Sequence, residues 1–241
     1  VFKSVGAYVA LDGLAIANAA RPAPGAAGVV VVGDDPMISS TQVGADSRLT
    51  LAAARVPVLE PSGTQEVKDL VRLAFDLSTE SGLIVAVLVT TVQADGAGVV
   101  ELAPNLPPAV GPLRRVEVDT RAVRPHDAVS LPPFATELEA DILERRLPLL
   151  HAAVRRAAID RREGPSRPAR VGFVVAGAAY PLLRHALAEL GMDGEVPILR
   201  PGLTGPVDPE PVRRLADAAD EIVVVEERAG HLEDQVRRAL E

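Results

Sequence analysis

The residues best suited to chemistry lie between Gly33 and Arg48. Four consecutive valines, Val29 to Val32, end in Gly33-Asp34-Asp35-Pro36; Ser39, Ser40, Thr41 and Gln42 follow, then Asp46-Ser47-Arg48. An unbroken β-branched run without polar alternation predicts a strand covered on both faces, the habit of parallel sheets. In open α/β sheets ligands gather where loops leave the carboxyl ends of such strands. Paired carboxylates at that place can hold a metal, cap a helix or tie down their own loop. The guanidinium of Arg48 can answer one of them or reach an anionic ligand such as phosphate or carboxylate.

Other titratable groups have plainer readings. The four histidines, His126, His151, His185 and His231, show neither metal-ligand spacing nor an evident acid partner. His126-Asp127 is adjacent but sits among prolines. Glu226-Glu227 closes an apolar run and reads as a surface or inter-domain hydrogen-bonding pair. Gly177 after Val171–Ala176 reads as a packing turn. Arg145, Arg146, Arg155, Arg156, Arg161 and Arg162 alternate with acids and predict a solvated helix face. There is no G-x-S-x-G elbow, no G-x-x-x-x-G-K-[ST] loop and no G-x-G-x-x-G opening a helix.

The composition narrows the class. A formal charge of −8 argues against nucleic acid or an anionic membrane surface as partner. With no cysteine, the chain can build neither a disulfide framework nor a thiolate metal or iron–sulfur site of its own. No apolar run is long enough to span a membrane and no signal peptide opens the chain, so a cytoplasmic protein is expected. The first residues already read as a helix (Gly6–Ala20, with Val9, Leu14, Ala17 and Ala20 near one face), so residues before Val1 are expected.

Around the loop, helix and strand signals alternate. A helix near Val5–Ala20, the strand Val29–Val32, a helix near Ser47–Arg55 and the strand Val56–Leu59 come first. A helix to about Thr79 then carries Val67, Leu70, Val71, Ala74 and Leu77 on one face, with Ser62 and Gln65 at capping-box spacing. Leu83–Thr91 is a third buried strand. Residues 1–93 thus form one α/β lobe. Residues 94–170 are a proline-rich connector containing a long helical stretch, Ala135 to about Arg162, interrupted at Pro148. Residues 171–241 form a second lobe, with strands Val171–Ala176, Val196–Leu199 and Glu221–Glu227. Asp208-Pro209 starts one of its helices with an N-cap acid and proline at the first helical position. The fold class is α/β, with two lobes of mainly parallel sheet.

The stretch GDDPMISSTQVGADSR, followed by VPVLEPSGTQEVKDLVRLAFDLS, resembles the large subunit of the indolepyruvate ferredoxin oxidoreductase family. That family is a branch of the thiamine-diphosphate-dependent 2-oxoacid:ferredoxin oxidoreductases. The matching positions are the Gly33-Asp34-Asp35-Pro36 turn, Ser40 and Gln42 of the hydroxyl loop, Asp46 and Arg48, then Pro57, Leu59, Glu60 and Pro61. Gln65, Glu66, Ala74, Phe75, Leu77 and Ser78 continue the match. Lys3-Ser4-Val5-Gly6, Gly177–Tyr180 and Val223–Glu227 are similar to further blocks in the family's order.

The resemblance implies a thiamine-diphosphate-binding fold, residues 1–93 being the pyrimidine-binding part and residues 171–241 a transketolase-C-terminal-like domain. It implies oxidative decarboxylation of an aryl 2-oxoacid to acyl-coenzyme A, with electrons passed to ferredoxin and the cofactor supplying the carbanion chemistry. It also implies thiamine diphosphate with Mg²⁺ shared with other regions or chains, 4Fe-4S clusters elsewhere in the assembly, and a small gamma-type partner subunit in an oligomer. On this basis Asp34, Asp35, Ser39, Ser40 and Gln42 are expected to bind the cofactor, and Asp46 and Arg48 the substrate. The family's pyrimidine-bonding carboxylate is expected before Val1. The sequence departs from the pattern at two places: the family's Asn-Glu-Gln is Val43-Gly44-Ala45, and its Arg-Thr-Thr-x-Arg is Val89-Thr90-Thr91-Val92 without the arginines. Those losses leave open a second reading, a non-catalytic scaffold or assembly subunit that keeps the fold.

Overall fold

The computed structural model describes residues 1–20, 22, 25–39, 41–42, 44–104, 131–165 and 168–241. Ser40, Val43, the His126-Asp127 pair and the prolines from Pro107 to Pro125 lie outside the described residues. The first lobe is a four-stranded, all-parallel sheet. Its strands are β1 (Phe2–Lys3), β2 (Val29–Asp34), β3 (Val58–Leu59) and β4 (Val85–Thr90), in the order β1-β2-β4-β3. Period-2 alternation splits the central strand between two cores. Val85 and Val87 pack with Leu59, Ala74 and Leu77 on one face, and Ala86 and Leu88 with Ala7, Leu14 and Leu51 on the other. Both faces are covered, as the all-valine run predicts.

Helices α1 (Ser4–Ala19) and α2 (Ser47–Ala53) cover one face; α3 (Thr64–Ser81) lies on the other, and a short α4 (Thr91–Asp95) follows β4. The buried positions of α1 are Ser4, Ala7, Leu14 and Asn18, whereas Val9 faces outward, contrary to the face expected from its sequence. A helix with apolar residues all round gives periodicity little purchase, and a buried polar group decides the orientation instead. The Asn18 amide donates to the Ala54 and Arg55 carbonyls and accepts from the Ile84 amide, tying α1 to the end of α2 and the start of β4. At the start of α3 the N-cap is Gly63, and Ser62 bonds Glu66 rather than Gln65 through both its N–H and its hydroxyl.

The long helical stretch differs from expectation in three ways. It runs through Pro148 without a break: α5 (Phe134–Asp141) passes through a π-helical turn, Ile142–Arg146, into α6 (Leu147–Ala157). The wide i→i+5 turn just before the proline frees the backbone where the ring would otherwise clash with a carbonyl one turn earlier. It ends at Ala157, where Ala158 takes a left-handed conformation, and Arg161–Glu163 form a strand, β5, instead of a last helical turn. Nor is its whole cationic face solvated. Arg146 is fully buried, donating to the Asn18, Ala19, Ala20 and Gly82 carbonyls and to Asp141. It thereby satisfies the orphan carbonyls at the end of α1, while Ile142, Leu150, Ala153 and Val154 complete the core beneath α3.

The second lobe holds β5, β6 (Ala169–Val175), β7 (Ile198–Arg200) and β8 (Ala219–Val225) in the order β5-β7-β6-β8, parallel except for the antiparallel edge strand β5. Helix α7 (Ala179–Glu189) packs on one face through Leu183 and Leu187. Helices α8 (Pro209–Ala216) and α9 (His231–Leu240) pack on the other through Val212, Leu215, Leu232 and Val236. Asp208 caps α8 by accepting the Glu210 amide, with Pro209 in the first turn as predicted. The lobes meet at β3, whose free edge is covered by the second lobe: Val58 and Gly205 form an antiparallel bridge, and Thr204 donates to the Val58 carbonyl. No helix among the described residues is long and apolar enough to cross a membrane.

Replacing Arg146 by Met would leave four carbonyls and Asp141 without their buried donor. The expected loss is about 3–5 kcal/mol, the usual cost of removing one partner from a buried ion pair, read as a lower denaturation midpoint with an unchanged slope.

Candidate functional site

Asp34 is the last residue of β2, so its side chain emerges at the carboxyl end of the central parallel strands. It is buried, and both its oxygens are used: one accepts the Ser47 amide at 2.8 Å, the other the Ser47 hydroxyl at 2.5 Å. Asp34 therefore anchors the N-terminus of α2, where a helix favours negative charge. Burial raises its pKa above the ordinary carboxylate value, and the Ser47 hydrogen bonds offset this only in part. Asp35 is likewise buried and accepts the amide and hydroxyl of Ser39. Of the expected cofactor-binding residues, Ser39 and Gln42 stand exposed on the loop. The capping and loop-tying alternative thus describes what both aspartates do in this structure.

Arg48 answers neither of those aspartates. Its Nε and Nη2 make a fork to Asp46, the N-cap of its own helix, at 2.9 and 2.6 Å. Nη1 reaches Glu226 in the second lobe at 2.8 Å, and Nη2 also donates to the Glu227 and Ala229 carbonyls. Glu226 in turn accepts the Leu232 and Glu233 amides at the start of α9. One guanidinium, 4% exposed, therefore links the N-termini of two helices from different lobes. Burial opposes its charge, but the Asp46 hydrogen bonds and the fields of Glu60, Asp46 and Glu226 outweigh that and hold its pKa above the ordinary arginine value. The inter-domain reading of Glu226 is what the structure shows.

Sequence reasoning missed the role of Glu60. It lies 3.8 Å from the Arg48 Nη1, and its Oε1 is buried without a hydrogen bond. Burial raises its pKa, outweighing the opposing effects of Arg48 and the Thr204 hydrogen bond. An acid set between Leu59 and Pro61, at the end of a fully buried strand, was the available signal. Asp34, Asp46, Arg48, Glu60 and Thr90 line one small pocket with Glu227 and Arg228 of the second lobe. The guanidinium of the exposed Arg228 lies against Gly44 in the divergent loop, where a Cβ would displace it. A second inter-lobe contact sits nearby: Arg200 stacks on Tyr180 at 4.0 Å and donates to Ser62 and Glu66 of the first lobe. Glu66 has a lowered pKa: burial works against its charge, but the Ser62 hydrogen bonds and Arg200 prevail.

Known proteins share both the motifs and the architecture. Residues 161–241, which run from β5 to the end of the chain, match the family model described as the indolepyruvate oxidoreductase domain. The indolepyruvate oxidoreductase subunit IorA of Pyrococcus abyssi is 32% identical over 98% of this chain, and that of Methanothermobacter marburgensis 30% over 97%. Over nearly its whole length the chain is thus similar to the IorA subunits of indolepyruvate oxidoreductases. It spans 35% and 36% of the length of these two relatives, about a third in each case. The same two-lobed fold recurs in a 2-oxoglutarate:ferredoxin oxidoreductase from Magnetococcus marinus, solved with 2-oxoglutarate, coenzyme A and succinyl-CoA bound. The TM-score is 0.70 at 16% identity, over 99% of this chain and 47% of that one. The family fold and the mainly parallel α/β architecture agree with the sequence-based expectation.

Two tests follow from the ion cluster. Replacing Arg48 by Ala leaves Asp46, Glu60 and Glu226 facing one another, and a loss of about 3–5 kcal/mol is expected in denaturant unfolding; Lys should not restore it, since one ammonium cannot form the Asp46 fork. The acids Asp34 and Glu60 have raised pKa values in the folded chain, so the stability they contribute is present at low pH and is lost as pH rises through their folded values. The Glu60→Gln variant should therefore melt above the parent at neutral pH, the gain shrinking as pH falls toward the ordinary glutamate pKa. A loss of stability at neutral pH that shrinks as pH falls would mean that attraction to Arg48 dominates instead.

Proposed function

We propose that this chain is part of the large subunit of a 2-oxoacid:ferredoxin oxidoreductase acting on an aryl 2-oxoacid of the indolepyruvate kind. The reaction is oxidative decarboxylation to an acyl-coenzyme A, with electrons leaving to ferredoxin. The observation that carries this reading is convergence. Asp34, Asp46, Arg48 and Glu60, scattered along the family-like motifs, line one pocket at the carboxyl end of the parallel sheet, where open α/β folds place their ligands.

The donor set decides which part of the cofactor would fit. Three acids surround a guanidinium that protein groups already satisfy, so a diphosphate would be repelled there. The uncharged pyrimidine end fits better. Residues 1–93 would supply that edge and residues 171–241 would close it from the second lobe, with residues 94–170 joining them. Thiamine diphosphate, when bound, supplies the carbanion chemistry. Asp34 and Asp35 would shape the loop against it together with Ser39, Ser40 and Gln42, and Asp46 would hold Arg48 so that the two lobes present one surface to the substrate. The described residues contain no group of three or more His, Cys, Asp or Glu placed for a metal, and the chain has no cysteine. Mg²⁺ and the 4Fe-4S clusters would therefore be held by other regions or by a gamma-type partner subunit. Exposed apolar side chains on α1, among them Val5, Tyr8, Val9 and Ile16, offer a face for such an assembly.

One observation favours a second reading. Arg228 lies over the bare Gly44 and the donors of Arg48 are taken by protein groups, features that suit a scaffold whose pocket stays closed. The complete protein, assembled with its small subunit, separates the two. Anaerobic viologen reduction is expected with indolepyruvate in the presence of thiamine diphosphate, Mg²⁺ and coenzyme A, and more slowly with phenylpyruvate, pyruvate or 2-oxoglutarate. No reduction with any of the four, together with no binding of thiamine diphosphate, would establish the scaffold.

A further inference from the structure

A second inter-lobe cavity shares Arg48 with the pocket described above but opens between α2 and α9. His231, Gln235 and Arg238 follow one another at i, i+4 and i+7 on one side of α9. Arg48 and Ala52 of α2 line the same groove, together with Arg55, which lies past the end of that helix with a left-handed backbone. Val56, Val58, Leu147 and Pro206 supply its apolar wall. The groove holds about 230 Å³, room for a single ring with short substituents rather than a large cofactor.

The buried end is unusual. His231 is 4% exposed, yet its Nε2 has no hydrogen-bond partner. Nε2 is the unpartnered ring nitrogen, and the Thr204 backbone faces the ring; in the tautomer with its proton on Nδ1, Nε2 offers a lone pair. Burial and the nearby Arg48 keep the ring below its ordinary pKa, hence neutral at physiological pH. A buried acceptor left unmet costs free energy in the folded chain, and a ligand donor can remove that penalty. Nε2 lies beside Gly205, where a Cβ would sit 3.0 Å from it. The exposed cations are different in kind. Arg238 has no ion-pair partner among the described residues, and Arg55 pairs with the exposed Glu139.

We propose that this groove binds a small amphiphilic acid. Its anionic head lies between Arg55 and Arg238, a ring-sized apolar body lies along Val56, Val58 and Leu147, and a hydrogen-bond donor at the far end meets His231 Nε2. The three requirements select a molecule carrying charge and donor at opposite ends of a flat body, and they exclude a simple inorganic anion. This inference rests on the groove alone and stands or falls independently of the proposed reaction.

Calorimetry on the full-length protein in its native assembly tests it with three probes. 4-Hydroxybenzoate carries both head and donor, benzoate lacks the donor and phenol lacks the head. 4-Hydroxybenzoate should bind about tenfold more tightly than either, the effect of about 1.4 kcal/mol for each lost partner. Arg238→Gln, at an exposed position, should weaken 4-hydroxybenzoate about tenfold and leave phenol unchanged. Gly205→Ala, which crowds Nε2, should weaken 4-hydroxybenzoate and leave benzoate unchanged. Equal affinities for the three probes, no heat with any of them, or unchanged binding by the Arg238→Gln variant would each overturn the proposal.

Discussion

The Arg48 guanidinium is the interaction on which the arrangement of the two lobes depends. It is buried, it carries its charge, and its nearest acceptors come from both sides: Asp46 from its own helix, Glu226 and two carbonyls from the second lobe. A buried cation must find such partners, because the interior offers no water to replace them. Moving one lobe against the other would take Arg48 away from Glu226 and from the Glu227 and Ala229 carbonyls, leaving a buried charge short of its acceptors. The restoring force is therefore specific in direction, which apolar packing alone would not provide.

Two weaker constraints complete the joint. The Val58–Gly205 bridge continues the first sheet's hydrogen bonding into a loop of the second lobe and removes an open strand edge. Arg200, stacked on Tyr180 and bonded to Ser62 and Glu66, repeats at half-buried positions what Arg48 does in full burial. Arg146 plays the same part within the first lobe, holding the carbonyl end of α1 against the long helix. Three arginines, each bonded to groups distant in sequence, thus organise a chain whose cores are built from small aliphatics with few aromatics.

The electrostatic result is a strand-end pocket with more acids than cations. Asp34 and Glu60 both have pKa values raised by burial, so each resists ionisation more than a solvated carboxylate does. Such a surface suits neutral or proton-donating ligand groups and disfavours phosphate. The cationic groove between α2 and α9 has the opposite character, with Arg55 and Arg238 at its rim. Arg48 stands between the two, its charge committed to the acids of the first.

The amino-acid sequence by itself determined the parallel sheet, the position of the Asp34 loop at its end and the family resemblance, because hydrophobic period and motif order are local properties. The helix face of α1, the π turn at Pro148 and the strand Arg161–Glu163 were not legible. An apolar helix has no preferred side until Asn18 finds its backbone partners, and a three-residue edge strand exists only because β7 is beside it. The roles of the arginines were decided by tertiary structure alone. Arg48 and Arg146 look in the sequence like Arg145 or Arg156, which remain at the surface. What separates them is desolvation: a guanidinium becomes a structural bond only where distant chain segments supply enough acceptors to compensate for the water it loses, and sequence spacing does not report those segments.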